Sequence, residues 1–178
     1  TDVRVAPNDL GQGLLAARCR VIDAGLLPTP VVSWAASKRA DGGCIVTASH
    51  NPPEYNGLKF FDHKGCVSKP EVEGAVIQRA ERDVRDEGLP CAVKSDGYEL
   101  AHPDEIVDQY VRDVAALVGK VEEIRVAIDC RAGMAAAVAP RLLAALGCRA
   151  HAINEAPNPY FVDSEGRYVE PEPSAKNL

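Results

Sequence analysis

Hydrophobic residues change their spacing several times along this chain, and each change marks an element. Between Pro103 and Leu117, Ile106, Val107, Tyr110, Val111, Val114 and Leu117 recur three and four residues apart, which predicts an amphipathic helix. Asp104 and Glu105 suit its first turn, where carboxylates meet the positive end of the helix dipole. A shorter helix is expected from Leu10 to Ala17, with Asn8 or Asp9 as N-cap. A third begins at Val31, runs to Lys38, and is ended over residues 39–43. A fourth runs from Lys69 to about Arg85, with Val72, Ala75, Val76 and Ala80 on one side and charges on the rest.

Strands read differently. Cys19 to Gly25 is one, closed by the stiff turn Leu26-Leu27-Pro28-Thr29-Pro30. Ile45-Val46 opens another, and a returning strand carries Lys59, Phe60 and Phe61. Asp62-His63-Lys64-Gly65 reads as a turn. Ile124 to Asp129 is expected to be a buried strand, Met134 to Leu146 a helix capped by Gly147, and Cys148 to Ile153 the next strand. Strand, helix, strand in that order argues a parallel α/β layer. Residues 91–103 and 154–178 read as irregular, and no internal repeat stands out.

Composition narrows the class. The chain has 178 residues, 46% hydrophobic and 26% charged, a balance suited to one or two globular domains. No run reaches the ~18 apolar residues of a membrane span, and no leader pattern opens the chain, so neither a membrane nor a secretory route is expected. A net charge of −6 with interspersed signs argues against a nucleic-acid partner. The six cysteines form no C-x-x-C pair, and they read as small hydrophobes in a reducing cytoplasm. Trp34, the one tryptophan, and Tyr110 are read as packing residues, and Asp129, at a strand C-terminus, as structural.

The chemistry concentrates between Gly43 and Phe61. Pro52-Pro53 stiffen the loop after the first strand, and Asn56-Gly57 is a turn signal that accepts positive φ. Ser49 then sits just past a strand end beside His50, with Lys59 on the returning strand. A serine held next to an imidazole and near a lysine is a plausible phosphoryl carrier, though a Ser-His pair alone is ordinary turn chemistry. The longer run is more specific. Thr47, Ser49, His50, Asn51, Pro52, Asn56, Gly57 and Lys59 fill every fixed position of a pattern T-A/G-S-H-N-P followed by N-G-x-K. In this the chain resembles the active-serine loop of the α-D-phosphohexomutases, the family of phosphoglucomutase, phosphomannomutase and phosphoglucosamine mutase. Asp2 and Arg4, Pro28-Thr29-Pro30, the helix from Pro103, and Glu170-Pro171-Glu172-Pro173 with Asn177-Leu178 resemble further family segments in the expected order.

The resemblance implies three-layer α/β/α domains with mixed sheets. It divides the chain into 1–105, an active-serine domain lacking its N-terminal strand, and 106–178, a partial second domain lacking its metal loop. It also implies an intramolecular phosphotransferase that interconverts hexose 6-phosphate and hexose 1-phosphate through a phosphoserine, with a hexose 1,6-bisphosphate as intermediate and activator. Ser49 is then the carrier, Lys59 an acid/base or charge-holding group, His50 an orienting group, and Arg4 a further cation near the phosphate. Mg2+ would meet the phosphate on Ser49, with aspartate ligands expected outside this chain, so the chain alone is expected to be inactive. A phosphosugar is the expected partner; the sugar and the oligomeric state stay open. The other class considered is a non-catalytic mutase-like module that binds a sugar phosphate or a partner protein.

Overall fold

A computed structural model of the chain describes residues 7–49, 51, 55–86, 97–121 and 123–169. In order they form α1 (Pro7–Ala16), β1 (Val21–Asp23), α2 (Thr29–Arg39), β2 (Gly42–Val46), β3 (Leu58–Asp62), α3 (Pro70–Asp86), β4 (Tyr98–Leu100), α4 (Pro103–Val118), β5 (Arg125–Asp129), a 3-10 turn (Met134–Ala137), α5 (Ala139–Ala145) and β6 (Arg149–Ile153). The class is α/β, as expected, but the strands pair two by two. β1 lies parallel to β4, β5 parallel to β6, and β2 antiparallel to β3.

The core lies where α2 meets α4. Leu27, Val31, Ile106, Val107, Val111 and Val138 form one buried cluster, flanked by Trp34, Tyr110 and Leu142. Removing side chains of this size from water contributes about 1.5–3 kcal/mol each. Trp34 packs edge-on against Tyr110, ring centres 5.8 Å apart at 81°, so both residues fill the core as expected. Between α5 and α4, Arg141 pairs with Asp104 at 2.6 Å and Asp108 at 3.2 Å. Those partners are exposed, so the clasp adds no more than about 1 kcal/mol.

Several expectations need correction. α1 starts at Pro7, which places Asn8 and Asp9 inside its first turn instead of at its cap. Residues 98–100, read as irregular, form β4, held to β1 by the register Val21–Tyr98 to Asp23–Leu100. The helix expected over Met134–Leu146 is broken: Pro140 has no N–H and crowds the preceding turn, so a 3-10 turn gives way to α5 after Val138. The expected buried strand at 125–129 is half-buried and edged with exposed residues. Leu117 is 87% exposed, because the apolar stripe of α4 outruns its neighbours among the described residues.

One turn occurs twice, although the sequence shows no repeat. In Asp62-His63-Lys64-Gly65-Cys66, the Asp62 carboxylate accepts from the Lys64 and Cys66 amides at 2.8 and 2.9 Å. In Asp163-Ser164-Glu165-Gly166-Arg167, the Asp163 carboxylate accepts from the Glu165 and Arg167 amides at 2.9 and 2.8 Å. Gly65 and Gly166 both take left-handed φ, +76° and +79°. These amide donors hold both carboxyls below the usual aspartate range, the Cys66 amide first at Asp62 and the Arg167 amide first at Asp163.

Candidate functional site

The serine loop is built on the β2–β3 hairpin. Its register pairs Gly43 with Phe61, Cys44 with Phe60, Ile45 with Lys59 and Val46 with Leu58. The apolar, β-branched Ile45 and Val46 favour this ladder. The Thr47 amide then donates to the Gly57 carbonyl at 2.8 Å, which carries the ladder one step past β2. Gly57 does not serve as the positive-φ residue expected of it, since neither it nor Asn56 has φ above zero. Its need is room: a Cβ there would stand 3.2 Å from the Thr47 carbonyl oxygen. Asn56 closes the turn by accepting from the Gly57 amide at 3.0 Å.

Hairpin geometry sorts the side chains by face. Directly opposed residues share a face, and residues two apart along a strand share it too. Lys59, Ile45 and Thr47 therefore lie on one face of the ladder, and Cys44, Val46 and Phe60 on the other. Lys59 is exposed. Burial pushes the Cys44 thiol up to about 11, so it stays protonated near neutrality.

Ser49 is one of six described non-glycine residues with positive φ. Its φ is +59°, in the left-handed region that L-residues other than Asn and Asp seldom occupy. Hydrogen bonds between described residues frame it. The Ser49 amide donates to Thr47 Oγ1 at 3.0 Å, and the Asn51 amide donates to the Ala48 carbonyl at 3.1 Å. Ser49 is thus the first central residue of a turn from Ala48 to Asn51, with the positive φ of the primed turns, and it is exposed. A strained backbone at an exposed nucleophile-type side chain is a reason to suspect chemistry.

The structure brings Ser49 and Lys59 onto one hairpin. His50 and Arg4, the other two expected site residues, lie outside the described residues, as do Pro52 and Pro53. Thr47 is a motif position to which the sequence reading gave no role: a threonine two places before a serine at a strand end is the signature of a side chain-to-backbone turn. Among the described residues, no three His, Cys, Asp or Glu side chains converge to hold a metal ion. A magnesium ion expected on the phosphate of Ser49 would have to take its carboxylates from elsewhere than this described loop. No described helix is long and apolar enough to cross a membrane.

Asp129, at the end of β5, organises a second turn. Its Oδ1 accepts from the Arg131 amide and from Asn154 Nδ2, both at 2.8 Å, which ties the ends of β5 and β6 together. Arg131, Ala132 and Asn154 all have left-handed φ, 53°, 52° and 53°. The hydrogen bonds of Asp129 Oδ1 serve that turn.

Comparison with known proteins places this arrangement. Residues 4–86 match the family described as "Phosphoglucomutase/phosphomannomutase, alpha/beta/alpha domain I". A phosphoglucomutase/phosphomannomutase of Thermococcus kodakarensis is 37% identical over 93% of the chain and 35% of its own length. A phosphopentomutase of the same organism is 32% identical over 96% of the chain and 36% of its own length. The crystal structure of a phosphoglucomutase/phosphomannomutase family protein from Burkholderia thailandensis superposes with a TM-score of 0.69 at 30% identity. It covers 85% of the chain and is itself covered over 33%. The chain therefore spans about a third of the length of the relatives it matches.

Proposed function

The chain belongs to the phosphoglucomutase/phosphomannomutase family, and from that premise we propose that the whole protein moves a phosphoryl group between two positions of one sugar, with Ser49 as its carrier. The observation that carries this reading is the conformation of Ser49. It is exposed, left-handed and set by hydrogen bonds at the tip of a hairpin whose register is closed at Thr47 and Gly57. Phosphoryl transfer asks a protein mainly for position and for charge to meet the non-bridging oxygens. A fixed serine supplies the first. Lys59, on the same hairpin, supplies a cation and a proton donor, and His50 and Arg4 are assigned the remaining charge and orientation.

In the proposed cycle the phosphoserine gives its phosphoryl group to one hydroxyl of a sugar monophosphate. The P–O bond to Ser49 breaks as the P–O bond to the sugar forms, and the sugar hydroxyl proton passes to the protein. The bisphosphate turns over in the site, and Ser49 takes the other phosphate back. Mg2+ supplies charge neutralisation on the phosphate when bound; its carboxylate ligands are assigned to residues outside the described ones. The substrate class is a sugar phosphate of hexose or pentose size, the latter because a relative of this chain is named a phosphopentomutase. The setting is proposed to be cytoplasmic.

Mass spectrometry tests the carrier. The whole protein, incubated with glucose 1,6-bisphosphate, is expected to gain one phosphate on the peptide containing Ser49, and Ser49→Ala none. Phosphate confined to another residue, or no phosphate at all in the wild type, would overturn the assignment.

A further inference from the structure

Thr47 is bound at both ends. Its amide is fixed in the hairpin by the Gly57 carbonyl at 2.8 Å, and its Oγ1 accepts from the Ser49 amide at 3.0 Å. Its own carbonyl lies so near Gly57 that a Cβ at that position would approach it to 3.2 Å. The threonine hydroxyl is therefore a rigid point, referenced to the ladder and not to the loop. Ser49 has φ +59° with one residue between it and that point. Serine has no intrinsic preference for left-handed backbone, so the conformation needs an outside hold, and the Thr47 hydroxyl provides one. Thr47 also shares the ladder face of Lys59 through Ile45, so it refers Ser49 to the strand that carries the lysine.

We infer that Thr47 is a positioning residue for phosphoryl transfer at Ser49: its Oγ1 holds Ser49 in the left-handed conformation in which the serine oxygen accepts phosphate. This rests on the reading of Ser49 as carrier. The step concerned forms the bond from Ser49 Oγ to phosphorus and breaks the bond from phosphorus to the donor sugar oxygen. The serine proton ends on the departing sugar hydroxyl. Thr47 takes no part in these bond changes; it sets where Oγ begins.

The test compares Thr47→Val, which keeps the shape and loses the acceptor, with Thr47→Ser, which keeps the acceptor. Phosphate uptake at Ser49 is timed in the whole protein over a range of glucose 1,6-bisphosphate concentrations. Thr47→Val is expected to lower the maximal uptake rate about tenfold, about 1.4 kcal/mol at 25 °C, with the half-saturating donor concentration unchanged. Thr47→Ser is expected to restore it to within about twofold. Exchange of the Ser49 amide proton is expected to quicken in Thr47→Val and not in Thr47→Ser. Uptake by Thr47→Val at the wild-type rate, an equal loss in both variants, or a change in half-saturation alone would each overturn the inference. If Thr47→Val does not fold, Thr47→Ala takes its place. No uptake by the wild type would overturn the carrier reading and this inference together, whereas normal wild-type uptake with an unaffected valine variant removes only Thr47.

Discussion

The twin turns at Gly65 and Gly166 separate two costs that are usually mixed. Both glycines are left-handed, so a Cβ at either position carries the left-handed penalty of about 1–2 kcal/mol. Only Gly65 is also crowded. A Cβ there falls well inside the 3.0 Å that real contacts keep from the Ser33 carbonyl oxygen, and 3.2 Å from Ser33 Oγ; at Gly166 no described residue lies within 4 Å. Displacing the Gly65 turn also breaks the bond from Ser33 Oγ to the Gly65 carbonyl, 2.7 Å long and worth about 0.5–1.5 kcal/mol. Gly166→Ala is therefore expected to cost about 1–2 kcal/mol. Gly65→Ala is expected to cost at least about 1.5–3.5 kcal/mol, before the steric displacement is counted. Gly65→Asn tests the split further, since asparagine tolerates the left-handed backbone but still brings a Cβ. It should remain worse than Gly166→Asn. Urea unfolding followed by Trp34 fluorescence reads the difference, because Trp34 adjoins Ser33 and packs on Tyr110. Equal losses at Gly65 and Gly166 would refute the seating of the β2–β3 hairpin on α2 through the contact of Ser33 with Gly65.

Other outcomes follow from the same structure. Ile106→Ala, at a residue 1% exposed, is expected to cost about 2–5 kcal/mol in urea unfolding; a loss under 1 kcal/mol would remove it from the core. The carboxyls of Asp62 and Asp163 are held below their ordinary range, so their stabilising contribution is full above the unfolded aspartate pKa, about 3.9, and is lost as pH falls through the lower folded value. Asp62→Asn should accordingly flatten the dependence of melting temperature on pH below about 4, and an unchanged slope would contradict the amide cradle. With its thiol at about 11 against an ordinary 9.0, Cys44 has about a hundredth of the usual thiolate. Iodoacetamide at pH 7.5 should therefore label the exposed Cys19 and Cys66 first, and early labelling of Cys44 in the folded protein would refute its burial.

Legibility followed the length of each pattern. The helix at 103–118 carries four turns of periodic apolar residues, and its buried positions Ile106, Val107 and Val111 lie on the predicted face. The β2–β3 hairpin was legible because two β-branched residues and a turn pair bracket a polar loop. β4 was not, since three residues cannot display an alternation and their partner lies far away in sequence. Pro140 stands inside an alanine-rich run, and its missing N–H divides the helix expected there. At the site, the position of Ser49 and Lys59 on one hairpin could be read from spacing. The left-handed φ of Ser49 could not, because serine gives no such signal and the hold comes from a neighbour's hydroxyl. The recurrence of one turn at Gly65 and Gly166 was hidden because only Asp and Gly are shared between the two five-residue segments.

The pairing of β1 with β4 also sets an order of events. Asp23 and Tyr98 are 75 residues apart in sequence; their strands share the ladder, and the tyrosine hydroxyl donates to the Asp23 carboxylate. The strand that completes the β1 ladder, Tyr98–Leu100, is therefore made well after β1 itself. On the ribosome, at about 5–20 residues per second, β1 waits roughly 4–15 s for its partner. The β2–β3 hairpin can close in microseconds once Asp62 emerges. The serine loop is thus shaped early, while β1 still waits for the translation of its partner strand.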